Sequence, residues 1–382
     1  MKILFITRGF PSDKNPMLGN YEAVQAKAIA AKGHEVTVLG VRWRSLLHIL
    51  ECGKLKYRKV GDIKVYECTR VYPFIPGIGL YRLERILRRK MFNNILRSYL
   101  KHEQLPDLVH AHILSYAAPA AILKEKYHRP LVITEHFSKA NEGNITGRIR
   151  HSAFIYRLAD RVISVSNALA ESLKKNFGVD SVVVHNMVED RFFNRHEVKE
   201  HEGFRFVSVG RLLPIKRFDL LIRAFAGLKH SNTTLDIIGG GALREKLQAQ
   251  INQLGLQERV RLTGVKKPEE VSQMLAESDC LVLSSKSETF GIVLIEAMAQ
   301  GLPVVATRCG GPETVVNDAN GLLVPVNNIA ALTEAMDHMV DHASDYNKEE
   351  IRKQCLNDYS QDTIADRIID VYKDALQFSK NK

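Results

Sequence analysis

Residues 284–301, SSKSETFGIVLIEAMAQG, restrict the fold more tightly than any other stretch of the chain. The apolar triplet Leu281, Val282 and Leu283 ahead of them reads as a buried strand, and the apolar run from Ile292 reads as a helix that Gly301, Leu302 and Pro303 stop. Strand, loop, helix in that order is the repeating unit of a parallel α/β sheet, whose loops open at the carboxyl edge, where ligands bind. The helix after such a loop offers free N–H groups and the positive end of its dipole, so an anion is at home there. Glu288 in the loop and Glu296 in the helix bracket that position. Two carboxylates repel a phosphate, and they suit a neutral, hydroxyl-rich part of the same ligand, such as a sugar or a ribose. For these two residues alone, plain surface charge is the simpler alternative.

The same unit recurs along the chain. Residues 2–7 form an apolar strand, residues 21–32 carry helical periodicity up to Gly33, and residues 35–39 form a second strand, a βαβ opening of the doubly wound kind. The loop between them, RGFPSDKNPMLGN, lacks G-x-G-x-x-G, so no dinucleotide fingerprint is present, while Gly19 is suited either to close approach by a phosphate or sugar or to a plain turn. DLVHAH (107–112) and LVITEH (131–136) are strands that each deliver histidine to one sheet edge. Imidazoles there bond substrate oxygens, or else sit satisfied in the core; a metal site is disfavoured, because no carboxylate or cysteine repeats at ligand spacing. A strand at 161–165, a helix from Asn167 to Gly178 and a strand at 182–184 close this half, and His185, Asn186 and the polar run 189–202 read as the linker.

A new βαβ series starts at Phe204. Its first strand ends at Gly210, and Arg211 and Lys216 follow before a helix over 218–228. A guanidinium fork and an ammonium held just past a strand end suit a diphosphate. LDIIGGGALREKL then places three glycines between strand and helix, VRLTGV ends at Val265, and PVVAT, CGGPETVV and NGLLVPVNN succeed the 284–301 stretch. Helices are expected over 328–340 and 347–378.

At 382 residues, two or three domains are expected, and a chain 45% hydrophobic and 25% charged can bury a large core. The five scattered cysteines form no C-x-x-C pair, so neither zinc nor a disulfide framework is implied, and reduced, packed thiols of a cytoplasmic protein are expected. The run before Arg8 is too short for a signal-peptide core, and nothing approaches the ~18 apolar residues of a membrane span. The net charge of +11 lies entirely in residues 1–195, the remainder being mildly acidic. An anionic partner for the first half follows. Residues 41–101 carry most of that charge: VRWRSLLHIL holds the only tryptophan, Trp43, and a helix from Tyr81 has Leu83, Ile86, Leu87, Met91, Ile95 and Leu96 on one side and Arg82, Arg85, Arg88, Arg89 and Arg97 elsewhere. Such a helix suits an anionic membrane surface, and an ordinary domain helix with a solvated basic face suits the pattern equally. No nucleic-acid motif accompanies the charge, so nucleic acid is not expected.

Taken in order, DLVHAH, SVGRLLPIKRFDLLIRAF, GGGALREKL, TGV, SKSETFGIVLIEAMAQGLPVVAT, GGPE and NGLLV resemble the motifs of the retaining, nucleotide-sugar-dependent glycosyltransferases of family 4, over essentially the whole chain. The resemblance implies the GT-B fold, two Rossmann-like doubly wound domains facing each other across a cleft: an acceptor domain over 1–195, a donor domain over 196–360, and a last helix, 361–382, packed back on the first. It implies that Arg211 and Lys216 clamp the donor diphosphate, that Glu296 binds ribose hydroxyls, and that Glu288 holds hydroxyls of the donor sugar. Thr289, Phe290 and Gly291 would meet the phosphate or sugar through their backbone, Val265 would lie near the nucleobase, His112 at the reacting face, and Gly19 against phosphate and acceptor. Two departures stand out: Asn20 follows Gly19 where many relatives pair glycines, and the glycine loop reads GGG where an acidic residue often intervenes.

The expected activity is thus retaining transfer from a nucleotide sugar, a UDP-sugar ahead of a GDP-sugar, to a lipid-linked or other saccharide, with no cofactor and no metal. Front-face attack assisted by the leaving phosphate is what the family implies. The expected location is the cytoplasm, peripheral to the inner face of the membrane. Rival readings are a nucleotide-sugar epimerase or a soluble sugar-phosphate glycosyltransferase of the same fold, a non-catalytic nucleotide-sugar sensor, and a nucleic-acid-binding module.

Overall fold

A computed structural model describes residues 1–13, 15, 18–71, 81–136, 147–198 and 200–380, without the side chains at 46, 147 and 148. Residues 14, 16 and 17 of the expected first loop lie outside the described residues. The chain divides into two units, Met1–His185 with Gln361–Lys382, and Asn186–Ser360.

The first unit runs β1 (Lys2–Thr7), α1 (Asn20–Ala31), β2 (Glu35–Arg44), β3 (Lys56–Val60), β4 (Ile63–Val71), α2 (Tyr81–Tyr99), β5 (Leu108–His112), α3 (Leu114–Tyr127), β6 (Leu131–Glu135), α4 (Gly147–Ser152), α5 (Phe154–Leu158), β7 (Arg161–Ser164), α6 (Asn167–Phe177) and β8 (Val182–Val183). Its sheet has the order β3-β4-β2-β1-β5-β6-β7-β8, parallel except for the β3–β4 hairpin. The second unit runs β9 (Phe204–Val209), α7 (Phe218–Ala226), β10 (Thr233–Ile238), α8 (Arg244–Gln253), β11 (Val260–Gly264), α9 (Pro268–Ala276), β12 (Cys280–Leu283), α10 (Ile292–Ala299), β13 (Val304–Thr307), β14 (Gly321–Val324), α11 (Ile329–His342) and α12 (Lys348–Tyr359). Its order is β11-β10-β9-β12-β13-β14. Near-continuous apolar strands such as Leu281, Val282 and Leu283, all buried, are what a sheet covered on both faces requires.

Each order reverses once, between β1 and β5 in the first unit and between β9 and β12 in the second. Loops leaving the two central strands of such a sheet part at the reversal and leave a crevice at the carboxyl edge. The loop carrying Gly19 and the end of β5 carrying His112 meet at the first reversal. Lys216 after β9 and Glu288 after β12 meet at the second, and Arg211 leaves β9 in the same loop as Lys216.

Two expectations are corrected. The unit boundary falls at 185/186 and not at 195/196, because the polar run contains Phe192, only 3% exposed, in a 3-10 turn, Asp190–Phe193, docked on its own unit. Val188 N donates to Tyr359 O (2.8 Å), Gln300 to Asn194 O (3.1 Å), and Arg352 to Phe193 O. The α2 stripe also differs from the one expected. Phe92, Ile95, Leu96 and Tyr99 are buried, whereas Leu83 and Ile86 face solvent and Arg88 faces in. The Arg88 guanidinium lies 4.8 Å over Trp43, donates to Ser115 O (2.6 Å) and pairs with Glu84 (3.9 Å), so Trp43 is occupied as a cation–π partner.

The chain after Tyr359 breaks at Ser360 and continues as α13 (Gln361–Lys380), which belongs to the first unit. Ile364, Ile368 and Tyr372 on one face are buried, and Arg161–Asp374 and Lys32–Asp366 ion pairs flank them.

Candidate active site

At the reversal of the second unit, β12 ends in Leu283 and the loop after it ties down the 3-10 turn Pro214–Lys216. Ser284 Oγ donates to the carbonyls of Lys216 (2.9 Å) and Arg217 (3.2 Å), and Lys286 N donates to Ile215 O (2.8 Å). The loop that carries Glu288 therefore sets the backbone that carries Lys216. Their side chains meet: Lys216 Nζ lies 2.5 Å from Glu288 Oε1, which also accepts from Ser285 Oγ at 2.7 Å. Both are largely shielded, with side chains 22% and 13% exposed, so the pair is stronger than a surface ion pair. Arg211, in the same loop as Lys216, is exposed and makes no ion pair among the described residues.

The CGGPE loop holds Glu288 from the other side. Glu288 N donates to Cys309 O (3.2 Å), Gly311 N donates to Glu288 O (2.9 Å), and Glu313 accepts from Gly310 N (3.0 Å). Gly311 lies against the Phe290 backbone so closely that a Cβ would collide with it. The Phe290 side chain is core, 1% exposed and edge-on to Tyr359 at 5.9 Å, so only its backbone is available to a ligand. Thr289 is half-buried beside it. Gly291, left-handed at φ 88°, opens α10, and no side chain caps that end. Glu296 sits half-buried farther along the helix; burial, with Glu189 nearby, pushes its carboxyl up to about 8. Val265 is 78% exposed beyond β11, against Gly240 of the glycine loop.

At the reversal of the first unit, period-two alternation puts His110 and His112 on one face of β5, and the β5–β6 register brings His136 alongside. His110 is fully satisfied, Nδ1 by Tyr372 Oη and Nε2 by Thr134 Oγ1, both at 2.7 Å. His112 Nδ1 lies 3.4 Å from His136 Nε2, while His112 Nε2 is buried with no partner among the described residues. Burial drives all three imidazoles down, His110 to about 3, His136 to about 4 and His112 well below its usual value. His112 is thus neutral at pH 7, and offers a hydrogen bond rather than a charge. The next residue, Ile113, has φ 67°, a strained value for a β-branched side chain, held by Ile113 N donating to Thr134 O (2.8 Å) and Leu114 N to the buried Glu135 (2.9 Å).

Gly19 opens α1 at φ 68°, and a Cβ there would strike the Gly9 carbonyl, so chain packing alone demands glycine. Sequence reasoning passed over Glu22, buried one turn into α1, its carboxyl raised by burial, 3.4 Å from Arg8. It also passed over Tyr372, whose contact with His110 spans most of the chain, although the i, i+2 spacing of the two histidines signals a shared face.

Two Rossmann-like sheets in one chain, each with its chemistry at the strand-order reversal, make this an α/β protein of the GT-B class. The family "Glycosyltransferase Family 4" matches residues 20–192 and "Glycosyl transferases group 1" matches residues 189–354. An uncharacterized glycosyltransferase of Methanocaldococcus jannaschii is 33% identical over 65% of this chain and 67% of its own length. A putative teichuronic acid biosynthesis glycosyltransferase of Bacillus subtilis is 29% identical over 88% of both. Among solved structures, sucrose-phosphate synthase of Thermosynechococcus elongatus superimposes with a TM-score of 0.79 at 19% identity, covering 97% of this chain and 98% of that one. Anabaena HepE in complex with UDP and glucose does so at 0.72 and 20% identity, covering 98% and 99%. The chain belongs to glycosyltransferase family 4.

Proposed function

We propose that this glycosyltransferase moves a sugar, with retention of configuration and without a metal, from a nucleoside diphosphate sugar to a lipid-linked saccharide at an anionic membrane surface on the cytoplasmic side. The Lys216–Glu288 pair at the β9/β12 reversal carries the reading. It fixes an ammonium in the loop that also carries Arg211, which makes no ion pair among the described residues, and the uncapped end of α10 opens after the same β12 loop, so positive groups are to hand where a departing diphosphate gathers charge. A UDP-sugar is the first donor to test, in keeping with HepE, which is described in complex with UDP and glucose. Glu288 and Glu296 take sugar and ribose hydroxyls, and backbone groups at Thr289, Phe290 and Gly291 meet the phosphate or sugar. Val265 lies toward the base. Neutral His112 bonds a hydroxyl of the transferred sugar, and the loop at Gly19 faces acceptor and phosphate. The first unit, residues 1–185 with the last helix, serves the acceptor, and the second, residues 186–360, the donor.

Thermal shift against UDP-, GDP- and ADP-sugars tests the donor, since a ligand at ~100 times its Kd adds about 2.7 kcal/mol to the fold. Absence of a shift with every nucleotide sugar sinks the proposal. Transfer to a lipid-extracted acceptor, with the anomeric configuration read by NMR in the presence and absence of a chelator, tests retention and metal independence. Epimerised donor in acceptor-free incubations would favour the epimerase reading instead.

A further inference from the structure

Between β2 and β3 the chain makes a 3-10 turn, Leu46–Glu51, in which three aliphatic side chains face solvent: Leu47 is 92%, Ile49 61% and Leu50 97% exposed. The polar groups of the turn are engaged with one another. Ser45 Oγ bonds His48 Nδ1 (3.1 Å), and Glu51 lies 3.7 Å from Arg44 and 3.9 Å from His48. These groups are themselves partly exposed, so the turn sets exposed aliphatic and exposed charged side chains next to one another. Beside it is a cavity of about 320 Å³ whose charged lining is Arg42, Lys54, Lys56 and Arg58 against Glu51 and Glu67. Arg58 satisfies Glu67 with two donors, at 3.1 and 3.0 Å, and Arg44 is the nearest cation to Glu51. Lys54 and Lys56 have no acidic partner among the described residues, so the cavity keeps a positive excess. It opens near the carboxyl edge, where Arg42 on β2 is in register with Thr69 on β4 and Glu67 accepts from Phe10 N in the loop after β1.

We propose that this cavity and turn form one docking site for a phosphate-bearing lipid in a bilayer. The cavity takes the phosphate or diphosphate head, and Leu47, Ile49 and Leu50 enter the acyl boundary. A bilayer is the occupant that the chemistry matches, because it sets anionic head groups beside hydrocarbon as this site sets a positive cavity beside exposed aliphatic side chains. The site rests on the proposed lipid-linked acceptor and names where its phosphate is held.

The test is flotation of the full chain, without donor, on phosphatidylcholine vesicles with and without phosphatidic acid. Binding is expected only with phosphatidic acid, and it weakens with salt. Leu47→Asp/Leu50→Asp and Lys54→Glu/Lys56→Glu should each lower partitioning at least tenfold, since each lysine near an anionic surface is worth about fivefold. Leu254→Asp, an exposed leucine of the second unit, should leave it unchanged. Retained vesicle binding by either double variant overturns the site, as does complete competition by soluble glycerol 3-phosphate, which would mark a free-phosphate site. An equal fall for Leu254→Asp would mark non-specific adhesion and overturn it too. The nucleotide-sugar thermal shift, read on the same samples, separates the two claims: its persistence in variants that still bind vesicles fails the lipid site alone, and its absence in the wild type fails the donor reading alone.

Discussion

Lys216 and Glu288 are 72 residues apart in sequence and 2.5 Å apart in space, and each fixes what the other does. The carboxylate, held by Ser285 and by the backbone clamp of Cys309 and Gly311, orders a side chain that would otherwise sample many rotamers. Lys216→Ala removes both the charge and the partner of Glu288, and turnover should fall by about 10²–10³, the scale seen when one preorganised transition-state donor is lost. Glu288→Gln keeps the shape and loses the anchor, so kcat should fall similarly, with circular dichroism unchanged. Near-normal kcat in either variant would remove these residues from the chemistry. Lys216→Arg tests the geometry: a guanidinium is too wide for the seat of an ammonium, so partial activity at most is expected. The sequence shows both residues, as charged groups past strand ends, but not their pairing. No local pattern encodes a contact made through two loops of different strands.

At the scale of elements, the site is made by where loops cross. Gly311 illustrates the constraint, because its Cβ would occupy the space of the Phe290 backbone, which in turn positions Glu288 and the start of α10. Gly311→Ala should therefore lower both stability and activity, by about 1–3 kcal/mol in denaturant titration, as overpacking does. Gly33→Ala is the control: nothing lies within 4 Å of its Cβ, so only the left-handed backbone at φ 81° is strained, about 1–2 kcal/mol, with kcat unchanged. If both variants behave alike, the loop clamp is not what sets the site. The alternation of strands and helices was legible because the strands are short, near-continuous apolar runs bounded by turn residues, as in β1 and β12. The face of α2 was not. Its period places leucines and arginines alike, and burial of Arg88 is decided by Trp43 and Ser115, which are remote in sequence. For the same reason 189–202 reads as linker: its polarity is local, whereas the bonds that its carbonyls accept from Gln300 and Arg352 are not.

At the scale of the whole molecule, the buried histidines of the first unit and Glu296 of the second titrate in opposite senses. His110 and His136 stay neutral in the folded first unit down to about 3 and 4, while in the unfolded chain they take up protons from pH 6.5 downward. The unfolded state then binds more protons, so the first unit loses stability as pH falls below 6.5, for His110 alone by up to about 1.4 kcal/mol per pH unit. Glu296 does the reverse: folded, it holds its proton up to about 8, whereas unfolded it releases it near 4.5. Its contribution to the second unit is full below pH 4.5 and is lost as pH rises toward 8. Scanning calorimetry between pH 5 and 8 should therefore resolve two transitions that respond differently. The core variant Ile237→Ala marks which belongs to the second unit, because Ile237 is buried there. Glu296→Gln removes the titration, so relative to wild type its second-unit transition should gain as pH rises from 5 to 8, with the first-unit transition unmoved. A difference between variant and wild type that stays constant across that range would mean that Glu296 is ionised in the folded protein. It would then meet a ribose hydroxyl as a charged acceptor rather than as a neutral acid.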